Sequence, residues 1–385
     1  MTSHAAKLNE GIRYVAGIDI GGTSITAQYF PVKNGMISKE AVGSITQATV
    51  RGVEGHVSQM KAIIEEVNNR VAQTGGELVG IGIASPGRFN AEGNIKPGSN
   101  PNMGLNNINE FDGVNLGEEY RAALAGSPAA TASIIVQNDA NGMLSGMISF
   151  IADNKDRDLL KDQHGKEITK AGLYGKTVGL FGIGTGVGNS FVKFSAKGTP
   201  EFVTDGHVPK LVINVDPEDI PLLEQSDREL IKRGQKGHII RLPGNRAGAE
   251  GLFSASAIMA MSGIESGRDI DMANPVHQRA VQFAGKYMAR TIAVVKSGKS
   301  EDVVPENGWT AADKKAAAKA SVYLIGGGIG SSNDVGPELI KYTQQELAKL
   351  GIKDMQLVRM PPTHAAEYGA ATMVPEAVYQ NARGR

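Results

Sequence analysis

Short apolar runs alternate with longer amphipathic segments along most of this chain. Runs rich in β-branched and aromatic residues predict strands, and apolar residues that recur every three or four positions predict helices. One predicted helix carries Val57, Met60, Ile64, Val67 and Val71 on a single face. The alternation predicts an α/β fold whose central sheets are largely parallel. The predicted strands are 14–20, 24–30, 79–84, 133–137, 177–183, 188–194, 321–325 and 355–358, and the other predicted helices are 140–151, 253–261, 276–295, 337–350 and 364–380.

Three glycine-rich loops each adjoin one of these strand-like runs. The first two loops are each followed by a second strand-like run, so both lie within strand–loop–strand hairpins. Because glycine lets backbone N–H groups approach an anion closely, three such loops indicate a bound polyphosphate and a nucleotide-using enzyme. The loop positions are Gly21, Gly22 and Thr23, then Gly184, Thr185 and Gly186, and finally Gly326, Gly327 and Gly328.

The two hairpin units, which begin at Ala16 and Val178, predict two related lobes with mixed sheets and a ligand cleft between them. The small N-terminal lobe is predicted at 12–136, together with a C-terminal helix at about 364–382. The large lobe is predicted at 137–363, with insertions near 152–176 and 208–240.

The composition narrows the class of protein. The 385 residues include 40 basic and 40 acidic side chains, so bulk charge gives no indication of a nucleic-acid-binding surface. The absence of cysteine excludes disulfides and thiolate metal sites. Segment 1–10 lacks the apolar core of a signal peptide, and no apolar run approaches the roughly 20 residues of a membrane-spanning helix. We therefore expect a cytoplasmic protein without a membrane or nucleic-acid partner.

Two segments of the chain resemble known nucleotide-binding motifs but do not match them. Residues 184–188 have the glycine spacing of a dinucleotide fingerprint, but that fingerprint opens a helix and residues 189–194 alternate like a strand. Residues 175–177 resemble the end of a P-loop, yet position 170 is Lys170 rather than glycine and the segment precedes a strand. The sequence therefore predicts neither a Rossmann cofactor site nor a Walker-type phosphate site.

Two aspartates at the ends of predicted strands are the candidate carboxylates for chemistry. Asp19 comes just before the first glycine loop, where an acid is costly unless a donor or a cation faces it. Mg²⁺ suits that position, and an aspartate that caps its own turn is an equally weighted alternative. Asp139 follows strand 133–137 at the edge where α/β sheets bind ligands, and an N-cap role there is compatible with catalysis.

Four further polar residues are weak candidates when each is taken alone. Asn138 adjoins Asp139, and its amide can hydrogen-bond a polyol. Asn100 belongs to a segment of prolines, glycine and asparagines that is a turn by composition. A lone His207 or Glu250 is more often a surface or structural residue than a ligand.

Taken together, five segments in this order resemble the ROK family of sugar kinases and repressors, and the match spans nearly the whole chain. Asp19–Thr23 looks like the first phosphate motif, Ser85–Gly87 the Pro-Gly turn and Asn138–Asn141 the catalytic segment. Gly184–Gly188 looks like the second phosphate motif and Gly326–Gly330 the adenosine motif. The resemblance implies a two-lobed actin/hexokinase-like (ribonuclease H-like) fold.

The resemblance also implies a role for each matched residue. Asp139 would be the general base that takes a proton from the sugar hydroxyl attacking the γ-phosphate of ATP. Asp19 would position Mg²⁺ through water, and the three glycine loops would hold the nucleotide. The implied sugar contacts are Asn100, Asn138, His207 and Glu250. The family-like assembly is a homodimer.

One departure from the family pattern concerns zinc. Many members of the family hold a zinc ion with three cysteines and a histidine in a segment like Cys-x-Cys-Gly-x-x-Gly-Cys-x-Glu. Here Arg241, Pro243 and Gly248 occupy the cysteine places, and Thr204 stands where a glutamate would precede His207. We therefore expect no zinc site.

These features favour an ATP-dependent hexose kinase that acts at the 6-hydroxyl, with glucose as the default substrate. N-acetylhexosamines, mannose and fructose are alternative substrates, and polyphosphate is an alternative donor. The presence of Asp19, Asp139 and three glycine loops argues against a non-catalytic sugar sensor. A sugar-responsive repressor is disfavoured because segment 1–13 gives no room for a recognition helix before the first strand.

Overall fold

The computed structural model describes residues 11–22, 24–99, 103–105, 109–152, 160–204, 208–235, 239–303, 309–360 and 365–380. Its strands are β1 (Arg13–Ile20), β2 (Ser24–Lys33), β3 (Met36–Ile37), β4 (Gly43–Ala48), β5 (Glu77–Ser85), β6 (Ser133–Asn138), β7 (Thr177–Ile183), β8 (Val187–Phe194), β9 (Pro200–Thr204), β10 (Val212–Asn214), β11 (Arg241–Leu242), β12 (Arg246–Gly248), β13 (Ala320–Gly326) and β14 (Gln356–Arg359). Its helices are α1 (Val53–Gln73), α2 (Leu116–Ala123), α3 (Asp139–Ala152), α4 (Ile220–Lys232), α5 (Glu250–Phe253), α6 (Ala255–Ser262), α7 (Pro275–Ser297), α8 (Ala311–Ala317), α9 (Gly327–Gly330), α10 (Val335–Lys349), α11 (Ala365–Thr372) and α12 (Glu376–Gln380).

The chain divides into two compact units. The first comprises Met1–Gly146 with His364–Arg385, and the second comprises Met147–Thr363. Helix α3 begins in the first unit and ends in the second. The predicted boundary at 136–137 therefore falls just before this helix, whereas the observed one falls within it.

The first unit is built on a mixed sheet with the strand order β3-β2-β1-β5-β6, to which β4 adds by pairing with β2. β1 and β2 form an antiparallel hairpin, whereas β5 pairs in parallel with both β1 and β6. Helix α1 buries Met60, Ile64 and Val67 on one face, as its periodicity predicts. These side chains share a hydrophobic core with Ile18 of β1 and Ile83 of β5.

The second unit repeats this arrangement, with the strand order β14-β13-β7-β8-β9. β7 and β8 form the antiparallel hairpin, and β13 pairs in parallel with both β7 and β14. Every residue of β7 is buried, as expected of an interior strand that is covered on both faces. A separate small sheet has the order β10-β12-β11. The two larger sheets confirm the predicted mixed α/β architecture.

One sequence-based expectation about elements was wrong. The segment 364–380 is not one helix, because α11 ends at Thr372 and α12 begins only after Pro375, whose missing N–H and ring disfavour a continuous helix. The predicted insertion near 208–240 contains α4, which buries Leu222, Leu223 and Leu230.

Among the described residues, none of the helices combines the length and apolar character that crossing a membrane requires.

Candidate active site

Strand register brings both candidate aspartates to one edge of the first unit's sheet. Asp19 of β1 is level with Ala84 of β5, and Ala84 is level with Gln137 of β6. All three strands run in the same direction, so their carboxyl ends share an edge. Asp139 directly follows β6, two strand spacings or about 10 Å from β1.

Asp19 is half-buried in a strongly electronegative environment. Burial, then the charge of Glu367 and then that of Asp139, raises the pKa of Asp19 to about 8. A hard cation with oxygen ligands would relieve this repulsion, which is the chemistry that Mg²⁺ supplies. The donor set therefore fits the magnesium role that the sequence predicts.

Asp139 is the first residue of α3, and hydrogen bonds from residues next to it in the chain hold its carboxylate. Its Oδ1 accepts a hydrogen bond from the backbone N–H of Ala140 at 2.7 Å. Burial raises the pKa of Asp139 to about 6, and the hydrogen bonds from Ala140, its own N–H and Asn138 oppose that rise. A carboxylate with this pKa is deprotonated near neutral pH and still accepts a proton readily.

Asn138 anchors the neighbouring Pro-Gly turn. Its Nδ2 donates to the carbonyl of Gly87 at 2.7 Å, and its Oδ1 accepts from the N–H of Ala140 at 3.0 Å. The same side chain also hydrogen-bonds the carboxylate of Asp139, so it links the Pro-Gly turn to the candidate base.

The first glycine loop follows β1 directly. The N–H of Gly21 donates to the carbonyl of Ser24 at 2.8 Å, and the hydroxyl of Thr49 donates to the carbonyl of Gly21 at 2.7 Å. Gly22 is exposed, and nothing lies within 4 Å of where its Cβ would be. Thr23 lies outside the described residues.

The second and third glycine loops meet within the second unit. Gly326 at the end of β13 is level with Gly182 of β7, just before Gly184. Gly327 has φ 80°, and a Cβ there would lie 2.6 Å from the backbone nitrogen of Ile183. Only glycine tolerates both constraints, so this residue lets the two loops lie side by side. Thr185 is exposed between Gly184 and Gly186.

Glu250 begins α5 in the second unit. Its Oε2 lies 3.5 Å from Nζ of Lys210, so the two side chains form an ion pair. The N–H of Ala249 donates to the carbonyl of Leu211, which holds the start of α5 against the segment 208–211. His207 and Asn100, the other candidate sugar contacts, lie outside the described residues.

Ion pairs hold the segment 241–250, which corresponds to the zinc segment of the ROK family pattern. β11 and β12 form a hairpin, and Arg241 binds both carboxylate oxygens of Asp227 on α4, with a distance of 2.8 Å from Nε to Oδ2. Arg246 in the same hairpin binds both oxygens of Glu301. These bonds link the hairpin to α4 and to Glu301.

Within the described ranges, one group of three acids has carboxylate oxygens within 4.8 Å of one another: Asp216, Glu218 and Asp219. Lys286 contacts all three, and Arg290 binds Asp216. Two protein cations therefore balance this cluster, which belongs to neither predicted site.

Sequence reasoning missed Glu367, whose charge acts on Asp19 more strongly than that of Asp139 does. The sequence pattern places it only within the predicted helix 364–380. A signal was present, because Glu367 is the one charged residue in the small-residue segment Ala365–Ala371. An acid among alanines and glycine on a helix that must pack closely is a candidate for burial beside other strands.

A scan against models of protein families finds no match, and neither does a search of curated sequences. Solved structures are similar across nearly the whole chain. A glucokinase from Balamuthia mandrillaris in complex with glucose is 16% identical, with 96% of this chain and 95% of that chain covered and a TM-score of 0.63. A ROK family glucokinase from Streptomyces griseus in complex with glucose and AMPPNP is 15% identical, with coverages of 94% and 98% and a TM-score of 0.52.

A third similar structure is a ROK family transcriptional regulator, a homolog of the E. coli MLC protein. It is 17% identical, with 95% of this chain and 78% of that chain covered and a TM-score of 0.57. At such identities the likeness shows the fold, and the predicted two-lobed, hexokinase-like α/β fold with mixed sheets is confirmed. The predicted cleft, domain bounds and site roles stay predictions.

Proposed function

We propose that this protein is a sugar kinase that transfers the γ-phosphoryl group of ATP to the 6-hydroxyl of a hexose, with glucose as the first candidate. The observation that carries the proposal is the shared sheet edge, where Asp19 and Asp139 lie at the carboxyl ends of parallel strands. The fold likeness to two glucokinases bound to glucose, one of them also to AMPPNP, supports the same reaction class.

In this proposal Asp139 is the general base. Its carboxylate takes the proton of the attacking hydroxyl as the oxygen bonds to the γ-phosphorus. The bond from that phosphorus to the β,γ-bridging oxygen breaks, and ADP leaves with the electron pair. The pKa of about 6 suits the task, because the base is ionised at neutral pH before the reaction begins.

Asp19 would hold Mg²⁺ through water in the same proposal. When bound, Mg²⁺ would neutralise negative charge on the phosphates. The chain's own contribution is the half-buried carboxylate of Asp19, whose pKa is raised first by burial and then by the charges of Glu367 and Asp139. Zinc has no part in the proposal, because the segment that would hold it has no thiol.

The remaining predicted residues bind substrates. The loops at Gly21–Gly22 and Gly184–Gly186 would hold phosphates, and Gly326–Gly328 would hold the adenosine. Asn138, next to Asp139, would contact the sugar through its side-chain amide. Asn100, His207 and Glu250 are the other proposed sugar contacts.

The test is ADP release from Mg-ATP across a panel of hexoses and N-acetylhexosamines, with Asp139→Asn alongside. Sugar-dependent release is expected, and the variant should lose roughly 10²- to 10⁴-fold in kcat because the base is gone. Sugar affinity measured by calorimetry should stay near that of the unmodified protein. Asp269→Asn is the matched control, since Asp269 is exposed and lies in the second unit.

Each outcome is informative. Near-normal turnover by Asp139→Asn would mean that Asp139 is not the general base. Turnover with polyphosphate but not with ATP would mean that polyphosphate is the phosphoryl donor. Sugar binding without turnover by any donor would favour a sensor or regulator, in line with the regulator that shares the fold.

A further inference from the structure

A cavity in the second unit lies between helix α10, strand β14 and the segment 161–163. Its volume is about 320 Å³, at the lower end of the range for pockets that bind small molecules. Ile340, Lys341 and Gln344 line it together, because residues three or four apart on a helix share one face. None of the described residues with a role in the proposed kinase reaction lines this cavity.

Strand β14 contributes an apolar residue and a cation to the cavity. Leu357 and Arg359 are two apart, so they project from the same face of the strand, and both line the cavity. Leu357 and Ile340 are buried, and together they give the cavity an apolar floor. Arg359 is only partly buried, so its guanidinium remains accessible to a ligand.

The third wall is preformed, because Gln163 holds the segment 161–163 against β14, which lies at the edge of its sheet. The backbone N–H of Gln163 donates to the carbonyl of Leu357 at 3.1 Å, and its Oε1 accepts from the N–H of Leu357 at 2.7 Å. Its Nε2 donates to the carbonyl of Met355 at 2.6 Å. These bonds satisfy backbone groups that an edge strand leaves without partners. Part of the predicted insertion near 152–176 therefore forms one side of the cavity.

The lining carries three cations and one acid: Lys161, Lys341, Arg359 and Asp162. The acid is engaged by the chain itself. Oδ1 of Asp162 accepts from the backbone N–H groups of His164 and Lys166, each at 2.9 Å, and its Oδ2 accepts from Gln356 at 3.2 Å. The charge balance of the lining is positive, which favours an anionic ligand.

Arg359 is held in place and keeps donors for such a ligand. Its Nη1 donates to the carbonyl of Ser331 at 2.9 Å and to Oδ1 of Asn333 at 3.0 Å. Among the described residues, none accepts a hydrogen bond from its Nε or Nη2, and none forms an ion pair with it. A guanidinium fixed in this way presents a planar pair of donors that matches two oxygens of a phosphate or carboxylate.

We propose that this cavity binds a small phosphate monoester, with the phosphate on Arg359 and Lys341 and the organic group over Ile340 and Leu357. A phosphate monoester is largely doubly charged slightly above neutral pH, and two cations balance that charge. Lys341 can turn to the phosphate, because its ion pair with Glu338 is exposed and such pairs contribute little. The proposal is independent of the proposed kinase activity, since it concerns a separate set of residues.

The test is isothermal titration calorimetry of the full chain with phenyl phosphate, compared with inorganic phosphate, phenol and benzoate. Phenyl phosphate should bind more tightly than the other three, because it alone combines a doubly charged phosphate with an apolar ring. Binding of benzoate at least as tight as that of phenyl phosphate would overturn the assignment to phosphate monoesters. Absence of phenyl phosphate binding would overturn the proposal altogether.

Substitutions locate the site. Arg359→Gln should weaken phenyl phosphate binding about tenfold or more, and Lys341→Gln should weaken it about threefold. Lys349→Gln is the matched control, because Lys349 forms the same (i, i+3) ion pair with a glutamate of α10 as Lys341 does, yet it does not line the cavity.

The Lys341 variant keeps the test decisive, since Arg359 also holds residues 331–333 and its loss could unfold the chain. Equal affinities of Lys341→Gln and Lys349→Gln for phenyl phosphate would show that it binds elsewhere, and the proposal would be wrong. Absence of sugar-dependent ADP release, with these affinities as expected, would count against the proposed kinase activity and not against this site.

Discussion

At the scale of the residue, the surroundings of His56 show how burial sets a protonation state. The imidazole is fully buried on α1, where its Nε2 lies 2.7 Å from the hydroxyl of Tyr120 and its ring meets that of Phe111 edge-on. Burial lowers the pKa of His56 from 6.5 to about 4. The folded protein therefore holds the imidazole neutral over a pH range in which the unfolded chain would protonate it.

The sign of the resulting pH dependence follows from this difference. Between pH 6.5 and about 4 the unfolded state binds more protons, so folded stability falls as the pH falls through that window. The contribution of His56 is about 3 kcal/mol over the window. The free energy of unfolding, measured by chemical denaturation at several pH values, should show this loss. His56→Gln should lose less of its unfolding free energy on acidification.

Tyr120→Phe is the control for the hydrogen bond. It removes the hydroxyl that contacts His56 but leaves the buried imidazole to titrate, so its stability should still fall on acidification. Parallel pH profiles for the unmodified protein and His56→Gln would contradict the assignment.

At the scale of the element, the position of α11 depends on the absence of side chains opposite it. Gly17, Gly82, Gly146 and Gly369 all bring backbone into contact where a Cβ would clash. Helix and sheet consequently approach more closely than ordinary side chains allow, which buries Glu367.

Gly82→Ala should therefore destabilise the first unit. The added Cβ would lie 1.7 Å from the carbonyl oxygen of Ala370, so the helix must shift, at a cost of about 2 kcal/mol or more. Chemical denaturation is the measurement, with Gly22→Ala as the matched control because nothing lies within 4 Å of its Cβ position. Equal stability of the two variants would mean that the close packing is unimportant.

At the scale of the whole molecule, the main sheets of both units combine an antiparallel hairpin with parallel strands. Each unit carries some of the residues of the predicted site. Asp19, Asp139 and the first glycine loop belong to the first unit, and Glu250 with the other two glycine loops belongs to the second. Ion pairs link the β11–β12 hairpin of the second unit to its surroundings, as Arg241 with Asp227 and Arg246 with Glu301 illustrate.

The intact protein should accordingly need no zinc. We expect metal analysis of the purified chain to find less than stoichiometric zinc, and a zinc-selective chelator to leave the melting temperature unchanged. Asp227→Asn should lower the melting temperature, because it leaves the partly buried Arg241 without its carboxylate. One zinc ion per chain would contradict this prediction.

Much of the fold could be predicted from the sequence because the interior strands are continuous apolar runs. The predicted strand 177–183 coincides with β7, and 133–137 lies within β6. Short or polar elements such as β3, β10, β11 and α4 were not predicted, because their packing depends on contacts that are distant in sequence.

The sequence by itself determined the α/β class, the three glycine loops and the candidacy of Asp19 and Asp139, because strand periodicity and turn chemistry are local properties. Only the tertiary structure decided that these two aspartates share a sheet edge, since that depends on the register of β1, β5 and β6. It alone packed the backbone of Glu367 against Gly17 of β1, because glycines admit α11 against the sheet. A contact of that kind arises from backbone approach in three dimensions, which no local pattern records.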